Sequence, residues 1–158
     1  MKELRVRIAH HAVAKGHSRI VTIGLGSCVA ITIHDRAAKV GGLAHVLLPD
    51  ASLGRAVDNR ARYASSAVAL LLEEMRDLGA AGPWVGALVG GAALFGPLLA
   101  FGGSVGARNI AAARSALAAA RVPVIAEDVG GESGRTVSFD VFTGRVNVRS
   151  VRGGEREL

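Results

Sequence analysis

The residues best suited to covalent chemistry in this chain are one cysteine and one histidine on neighbouring apolar segments. Cys28 is the only cysteine of the sequence and directly follows the turn-forming residues Gly24-Leu25-Gly26-Ser27. Because glycine tolerates tight turns with positive φ, the Cys28 sulfur and nearby backbone N–H groups can face one small volume. His45 carries an imidazole, which can take a thiol proton and return it to a leaving group. These residue types predict a cysteine nucleophile beside an oxyanion site at the Gly26-Ser27 turn.

Purely structural roles for both residues are the alternatives. A single free cysteine commonly serves as a small buried apolar residue. A histidine inside an apolar strand commonly serves as a hydrogen-bonded core residue. Residue types alone leave these alternatives open.

Length and composition predict one globular domain spanning residues 1–158. A chain of 158 residues can bury a substantial core, and 50% hydrophobic against 20% charged residues argues against disorder. One cysteine excludes an internal disulfide and fits a reducing compartment. The charged start, Met1-Lys2-Glu3-Leu4-Arg5, lacks the apolar centre of a signal peptide. We therefore expect a cytoplasmic protein.

The run from Leu78 to Ala107 contains no charged residue and is long enough to raise the question of a transmembrane helix. Nine glycines, Pro83 and Pro97 interrupt it, and a continuous Leu/Ile/Val core is missing. A buried strand, a glycine turn and a loop explain this run better than a membrane span.

The net charge of +6 comes from arginines scattered along the chain. No basic cluster interleaves with aromatic residues, so nucleic-acid binding is poorly supported. The positive charge can steer the protein towards an acidic partner. His10, His11 and His17 lack the spacing of a zinc site, and no phosphate-binding motif is present. We expect neither a metal nor another cofactor.

An antiparallel hairpin is predicted from two neighbouring strands. In Val29–His34, Val and Ile alternate with smaller or polar residues, and Leu43–Leu48 is a largely apolar strand. One register places His45 opposite Thr32, about 13 Å along the strand from Cys28. The other places His45 opposite Cys28, with Cβ atoms about 5 Å apart. The second register is favoured, because Asp35 can then begin the turn and accept a backbone hydrogen bond.

The remaining pattern predicts an α+β or layered α/β domain, with a mostly antiparallel or mixed β core flanked by helices. Asp50–Asn59 is predicted as a loop that contacts substrate, Phe95–Gly106 as a glycine-rich loop, and Arg152–Leu158 as a frayed tail. The other predicted elements are strands at Leu4–Ile8, Ile20–Ile23, Trp84–Val89 and Val122–Ala126, helices at Asn59–Leu78 and Ala107–Arg121, the loop Glu127–Gly131, and a closing hairpin of Arg135–Phe142 and Arg145–Val151.

Seven short segments occur in the order and spacing of the chemoreceptor glutamine deamidase family CheD. Together, the Leu-Gly-Ser-Cys and Glu-Asp-x-Gly-Gly elements are characteristic of that family, which the chain resembles from about residue 3 to residue 152. The seven segments are Thr22–Ala30, Gly42–Pro49, Arg62-Tyr63-Ala64, Gly90-Gly91-Ala92, Gly106-Ala107-Arg108-Asn109, Ala126–Gly131 and Thr143-Gly144.

This resemblance implies a fold shared with the cytotoxic necrotizing factor toxins. It also implies hydrolysis of glutamine side-chain amides in methyl-accepting chemotaxis receptors, which yields glutamate and ammonia through a cysteine thioester. On the same basis Cys28 is the nucleophile, His45 the base, and Thr22 the third member, which orients the imidazole.

Two other functions stay open. CheD-like proteins also bind and stimulate a CheC-type phosphatase, so the chain can be a binding module without turnover. It can also be an unrelated cysteine amidase with another substrate. The presence of Cys28, His45 and Thr22 together favours the receptor deamidase.

Overall fold

The computed structural model of the protein describes residues 1–51, 59–93 and 104–158. Two predicted loops lie mostly outside these residues: Asp50–Asn59, which was predicted to contact substrate, and Phe95–Gly106. The described part contains ten strands and two α-helices, which form three layers.

Two mixed five-stranded sheets make up most of the fold. The first sheet has the order β1-β3-β8-β9-β10 and the second has the order β2-β5-β4-β6-β7. The strands are β1 (Lys2–Val6), β2 (His11–Lys15), β3 (Ser18–Leu25), β4 (Val29–Asp35), β5 (Val40–Val46), β6 (Trp84–Gly90), β7 (Val124–Val129), β8 (Arg135–Asp140), β9 (Val146–Ser150) and β10 (Gly154–Glu157). The helices are α1 (Ala64–Asp77) and α2 (Val105–Ala119), and a 3-10 turn, Arg60–Arg62, precedes α1.

The second sheet is the middle layer, so its central strands β4 and β5 are buried at every position. Ile31 faces the helices and packs in one core with Leu71 of α1 and Leu117 of α2. Ala30 faces the other way and packs in a second core with Phe139 of the first sheet. Burial on both faces explains why β4 alternates large apolar residues with small or uncharged polar ones and has no charged residue before Asp35.

The predicted α+β, layered architecture is confirmed, and its mixed β core consists of two stacked sheets. The charge-free run Leu78–Ala107 contains β6 and the first residues of α2. Among the described residues, neither helix has the length and apolar character needed to cross a bilayer.

Two predictions about local structure are wrong, and one strand was not predicted. β2 was not predicted at all, and β7 continues through the segment Glu127-Asp128, which was expected to be a loop. The predicted frayed tail forms β10, which pairs with β9. Its sequence, Gly-Glu-Arg-Glu, lacks any apolar alternation, and cross-strand ion pairs such as Arg149–Glu155 at 3.2 Å accompany the pairing.

Both predicted registers of the β4–β5 hairpin are wrong as well. Ala30 lies opposite His45, because Asp35 pairs with Val40 and leaves four residues, 36–39, in the turn. The favoured register assumed a two-residue turn, so the observed pairing is shifted by two positions along β4. The predicted hydrogen bond is confirmed: Asp35 Oδ1 accepts from the Ala38 N–H at 3.0 Å. Lys39 closes the turn with φ of 55°.

Close approach of the two sheets requires a glycine in β5. A Cβ at Gly41 would lie 2.7 Å from two ring atoms of Phe139, whose side chain is 1% exposed. We expect Gly41→Ala to lower the free energy of unfolding by about 1–3 kcal/mol, because the buried ring must shift from its packed position to relieve the overlap. Chemical denaturation measures this loss.

The matched control for this prediction is Gly134→Ala, whose new Cβ would have its nearest neighbour, the Leu25 carbonyl oxygen, at 3.8 Å. Combining Gly41→Ala with Phe139→Leu should recover part of the loss. Equal stability of the two single glycine variants would contradict this account of sheet packing.

Candidate active site

A hydrogen bond between the two sheets lies at the centre of the site. Thr22 of β3 and His45 of β5 face each other across the inter-sheet core, with 2.7 Å between Thr22 Oγ1 and His45 Nδ1. Thr22 is 1% exposed and His45 is fully buried. Thr22 therefore contacts the imidazole through its side-chain hydroxyl.

The hydrogen-bond pattern determines which imidazole nitrogen carries the proton. Thr22 Oγ1 donates its single proton to the Val6 carbonyl oxygen at 2.7 Å. The hydroxyl can then only accept from the ring, so His45 Nδ1 is the protonated nitrogen. His45 Nε2 is left with its lone pair, and it has no hydrogen-bond partner among the described residues. This is the tautomer that a general base requires.

The backbone of His45 is also fixed on both sides. Its N–H donates to the His10 carbonyl at 3.0 Å, and its carbonyl accepts from the Ala9 N–H at 2.8 Å. Both partners lie between β1 and β2. These bonds use the backbone edge that faces away from β4, so the imidazole is directed by backbone and side-chain contacts together.

Cys28 lies one residue before β4, on the same face as Ala30 and hence as His45. It was predicted to lie directly opposite His45 and is instead its diagonal neighbour. Diagonal Cβ atoms in an antiparallel pair are about 7 Å apart, a separation that an imidazole and a thiol can close. The Cys28 side chain is buried, with 5% exposure.

Burial favours the neutral forms of both groups. It raises the pKa of the Cys28 thiol, an effect that a hydrogen bond from its own backbone amide partly offsets. Burial also lowers the pKa of His45 to about 4. At neutral pH the resting site therefore holds a thiol and an uncharged imidazole, not an ion pair.

Backbone contacts to the segment after β6 hold the turn that carries Cys28. The Gly91 N–H donates to the Cys28 carbonyl at 2.8 Å, and the Ala92 N–H donates to the Gly26 carbonyl at 2.9 Å. A Cβ at Gly90, where φ is 111°, would collide with the Cys28 carbonyl oxygen. Only glycine allows this approach, which accounts for the glycine pair in the sequence.

The predicted oxyanion site lies on the same turn. Within the described residues, the N–H groups of Ser27 and Cys28 donate to no backbone carbonyl. The Gly26 and Ser27 carbonyls are engaged, so the turn is held through its acceptors; the Ser27 N–H has no backbone acceptor among the described residues, whereas the Cys28 N–H bonds to its own sulfur at rest. Such an arrangement can bind a developing oxyanion next to the sulfur.

Asn109 of α2 is a site residue that the sequence analysis missed. Its Nδ2 donates to the Ser27 carbonyl at 2.9 Å and to the Leu47 carbonyl at 3.1 Å, and its side chain is fully buried. It thereby links the Cys28 turn to the end of the strand that carries His45. The available signal was a polar residue one helical turn before Ala113, on the inward face of an alanine-rich helix.

The other polar residues singled out in the sequence have structural contacts. Glu127 forms an ion pair with Arg114 at 2.7 Å, and Asp128 contacts both Arg135 and Arg156. Within the described ranges no three His, Cys, Asp or Glu side chains converge as a potential metal site. The acidic pair therefore forms ion pairs with arginines of neighbouring elements.

Comparison with known proteins identifies the family. The family model described as CheD chemotactic sensory transduction matches residues 47–150. A protein of Pyrococcus abyssi named "Probable chemoreceptor glutamine deamidase CheD" is 43% identical over 155 residues, which cover 98% of this chain and 95% of that protein. Proteins with the same name from Pyrococcus horikoshii and Clostridium botulinum are 42% and 38% identical, covering 98% and 100% of this chain and 96% and 99% of their own lengths. These alignments extend across the Cys28 and His45 segments, which precede the family-model match.

The lowered pKa of His45 makes folding stability depend on pH. Unfolded histidine titrates near pH 6.5, so between about pH 6.5 and 4 the unfolded chain binds the proton that the folded chain excludes. Stability therefore falls as the pH falls through this window, by up to about 1.4 kcal/mol per pH unit from this residue. His45→Gln removes that contribution, and denaturation at pH 7 and pH 4.5 measures it.

The wild-type protein should lose stability on acidification faster than the His45→Gln variant. His34, whose pKa is also lowered by burial, is present in both proteins and cancels in the comparison. Parallel pH dependences would contradict the neutral state of His45.

The two hydrogen bonds of Asn109 predict an order of stabilities. Asn109→Ala leaves the Ser27 and Leu47 carbonyl oxygens without this donor, which should cost about 1–3 kcal/mol. Asn109→Asp has nearly the same shape but places a carboxylate against those carbonyls, so it should be less stable than Asn109→Ala. An aspartate variant as stable as the wild type would contradict the donor role of Asn109 Nδ2.

Proposed function

The chain belongs to the CheD family, and on this premise we propose that it is a protein-glutamine deamidase acting on chemotaxis receptors. The observation that carries the proposal is the Thr22–His45 hydrogen bond, which leaves a buried, basic Nε2 on the same sheet face as the only cysteine. The names of the relatives supply the substrate class, since each is called a chemoreceptor glutamine deamidase.

In the first half of the reaction, the Cys28 sulfur attacks the side-chain carboxamide carbon of a glutamine. His45 Nε2 takes the thiol proton as the S–C bond forms, and the carbonyl electron pair moves onto oxygen. The N–H groups of Ser27 and Cys28 bind this oxyanion. When the tetrahedral intermediate collapses, the C–N bond breaks and ammonia leaves with the proton from His45, which produces a thioester on Cys28.

The second half releases glutamate by the same groups in reverse. His45 Nε2 takes a proton from water, and the resulting hydroxide adds to the thioester carbon. Collapse of this second intermediate breaks the C–S bond, and His45 returns the proton to the Cys28 sulfur. The net change is one amide and one water converted into one carboxylic acid and one ammonia.

The resting charge state favours general-base catalysis over a preformed thiolate. Since burial holds both Cys28 and His45 neutral, proton transfer accompanies attack on the substrate. The oxyanion donors then stabilise the charge that develops, a contribution worth about 3 kcal/mol per donor in other enzymes. Thr22 keeps the reactive tautomer in place throughout and needs no charge of its own.

We place this activity in the cytoplasm, where a reducing environment preserves a free Cys28. The alternative is a binding module that regulates a CheC-type phosphatase without turnover. His45 Nε2, which has no hydrogen-bond partner in the described part of the chain, favours the enzyme, because a purely structural histidine commonly has both ring nitrogens satisfied.

Mass spectrometry of a receptor cytoplasmic fragment tests the proposal. Incubation with the protein should add about 1 Da per modified glutamine, the difference between an amide and an acid, and both Cys28→Ala and His45→Ala should abolish the gain. Thr22→Val should still deamidate the receptor, but at a rate about tenfold to a hundredfold lower, because it removes the hydrogen bond that orients His45 and leaves His45 in place.

Thr32→Val is the matched control for Thr22→Val. Thr32 is also buried on the inner face of β4, but its hydroxyl makes only a 3.5 Å contact with the Ala87 carbonyl. The deamidation rate of the Thr32→Val variant should stay close to that of the wild-type protein. No mass gain with several receptors, together with retained binding of a CheC-type phosphatase, would overturn the deamidase and leave the binding module.

A further inference from the structure

A groove of about 610 Å³ lies on the outer face of the first sheet, next to the ends of β1 and β3. We name it the isoleucine groove. It is lined by Arg5, Val6, Arg7, Ile8, His10, Val21 and Ile23. Strand alternation explains its position, since Val21 and Ile23 point away from the inter-sheet core into which Thr22 points.

Two large apolar side chains in this groove are exposed to solvent. Ile8 is 50% exposed and Ile23 is 58% exposed. Isolated exposed apolar residues are ordinary, and Ile125 on β7, at 62%, is an example. Ile8 and Ile23 instead line one concave surface, and exposed apolar side chains gathered in a groove are typical of a binding surface.

The isoleucine groove is attached directly to the residues that hold His45. Ile23 follows Thr22, whose hydroxyl contacts the imidazole. Ile8 precedes Ala9 and His10, the two residues whose backbones hydrogen-bond to the backbone of His45. A protein segment seated in the groove therefore lies against the elements that fix the base.

The charge of the groove is positive. Arg5 and Arg7 line it, and none of its seven described lining residues is acidic. Arg7 forms no ion pair with a described residue, and Arg5 contacts Glu3 only at 3.7 Å in an exposed pair. Exposed pairs of this kind are worth about 1 kcal/mol or less, so Arg5 can readily exchange Glu3 for a partner's carboxylate.

We propose that the isoleucine groove binds an acidic segment of the substrate protein, with apolar residues between its carboxylates. The two isoleucines bury the apolar side chains, and Arg5 and Arg7 pair with the acidic ones. The inference rests on the proposed deamidase function and adds to it a docking surface outside the catalytic residues.

Binding and turnover of a receptor cytoplasmic fragment test the docking surface separately from catalysis. The dissociation constant is measured with Cys28→Ala protein, which cannot turn over, and KM and kcat are measured with active protein. Arg7→Glu should weaken binding and raise KM by about tenfold, with kcat little changed, because a like charge replaces an attractive one. Ile23→Ser should have an effect of similar size, about tenfold, through lost apolar burial.

Matched substitutions elsewhere on the surface provide the controls. Ile125→Ser removes an isoleucine of similar exposure on β7, and Arg152→Glu reverses an exposed charge in the turn between β9 and β10. Neither should change KM. Raising the salt concentration should weaken binding of the wild-type protein more than binding of the Arg7→Glu variant. Salt screens the attraction between Arg7 and the partner's carboxylates, and the variant lacks that attraction.

The outcomes separate the docking surface from the proposed function. Receptor deamidation with unchanged KM in Arg7→Glu and Ile23→Ser would overturn the groove and leave the enzyme intact. Receptor binding that both substitutions weaken, without any deamidation, would support the groove and reject the enzyme. If the receptor fragment neither binds nor reacts, both are wrong.

Discussion

The hydrogen bond between Thr22 and His45 is the interaction on which the rest of this structure depends. It crosses from one sheet to the other inside the core, so it forms only when both sheets are stacked in the observed position. Thr22 directs its own proton to Val6, which makes the imidazole donate through Nδ1 and leaves Nε2 basic. A neutral hydroxyl serves this purpose in a buried site, where a carboxylate would carry a large desolvation cost. The stacking of the sheets and the tautomer of His45 thus depend on the same contact.

Most of the family's sequence motifs act here through backbone contacts around Cys28 and His45. The Gly130 N–H donates to the Gly90 carbonyl, and the adjacent Gly91 donates to Cys28. The Arg62 carbonyl accepts from the Leu47 and Leu48 N–H groups just beyond the strand of His45. These segments are far apart in sequence but form one continuous support for the Cys28 and His45 side chains. Glycine recurs in it because carbonyl groups approach to distances that a Cβ would prevent.

The sequence allowed the elements of the site to be predicted, but not their relative placement. Alternation in β4 and the apolar run of β5 are strong local signals, and both strands form a hairpin as expected. The register depended on turn length, which Asp35 alone does not determine. The four-residue turn closes only because Lys39 adopts a positive φ, a conformation that no residue preference indicates for lysine.

Long-range packing accounts for the other differences. β2 and β10 are edge strands whose sequences lack an apolar alternation, and each forms because a neighbouring strand offers hydrogen bonds. Asn109 lies on a helix and contacts two carbonyls that are distant in sequence, so its role becomes visible only when α2 is placed against both segments. The family resemblance directed attention to Cys28, His45 and Thr22. It gave neither the diagonal relation of Cys28 and His45 nor the burial of the pair.

The measurement that tests this account most directly is a ¹⁵N NMR titration of the His45 ring, assigned by comparison with His45→Gln. The account predicts a protonated Nδ1 and an unprotonated Nε2 at neutral pH, with the ring remaining neutral until the pH approaches its lowered pKa of about 4. A ring protonated at Nε2, or one that titrates near pH 6.5 as exposed histidines do, would contradict it.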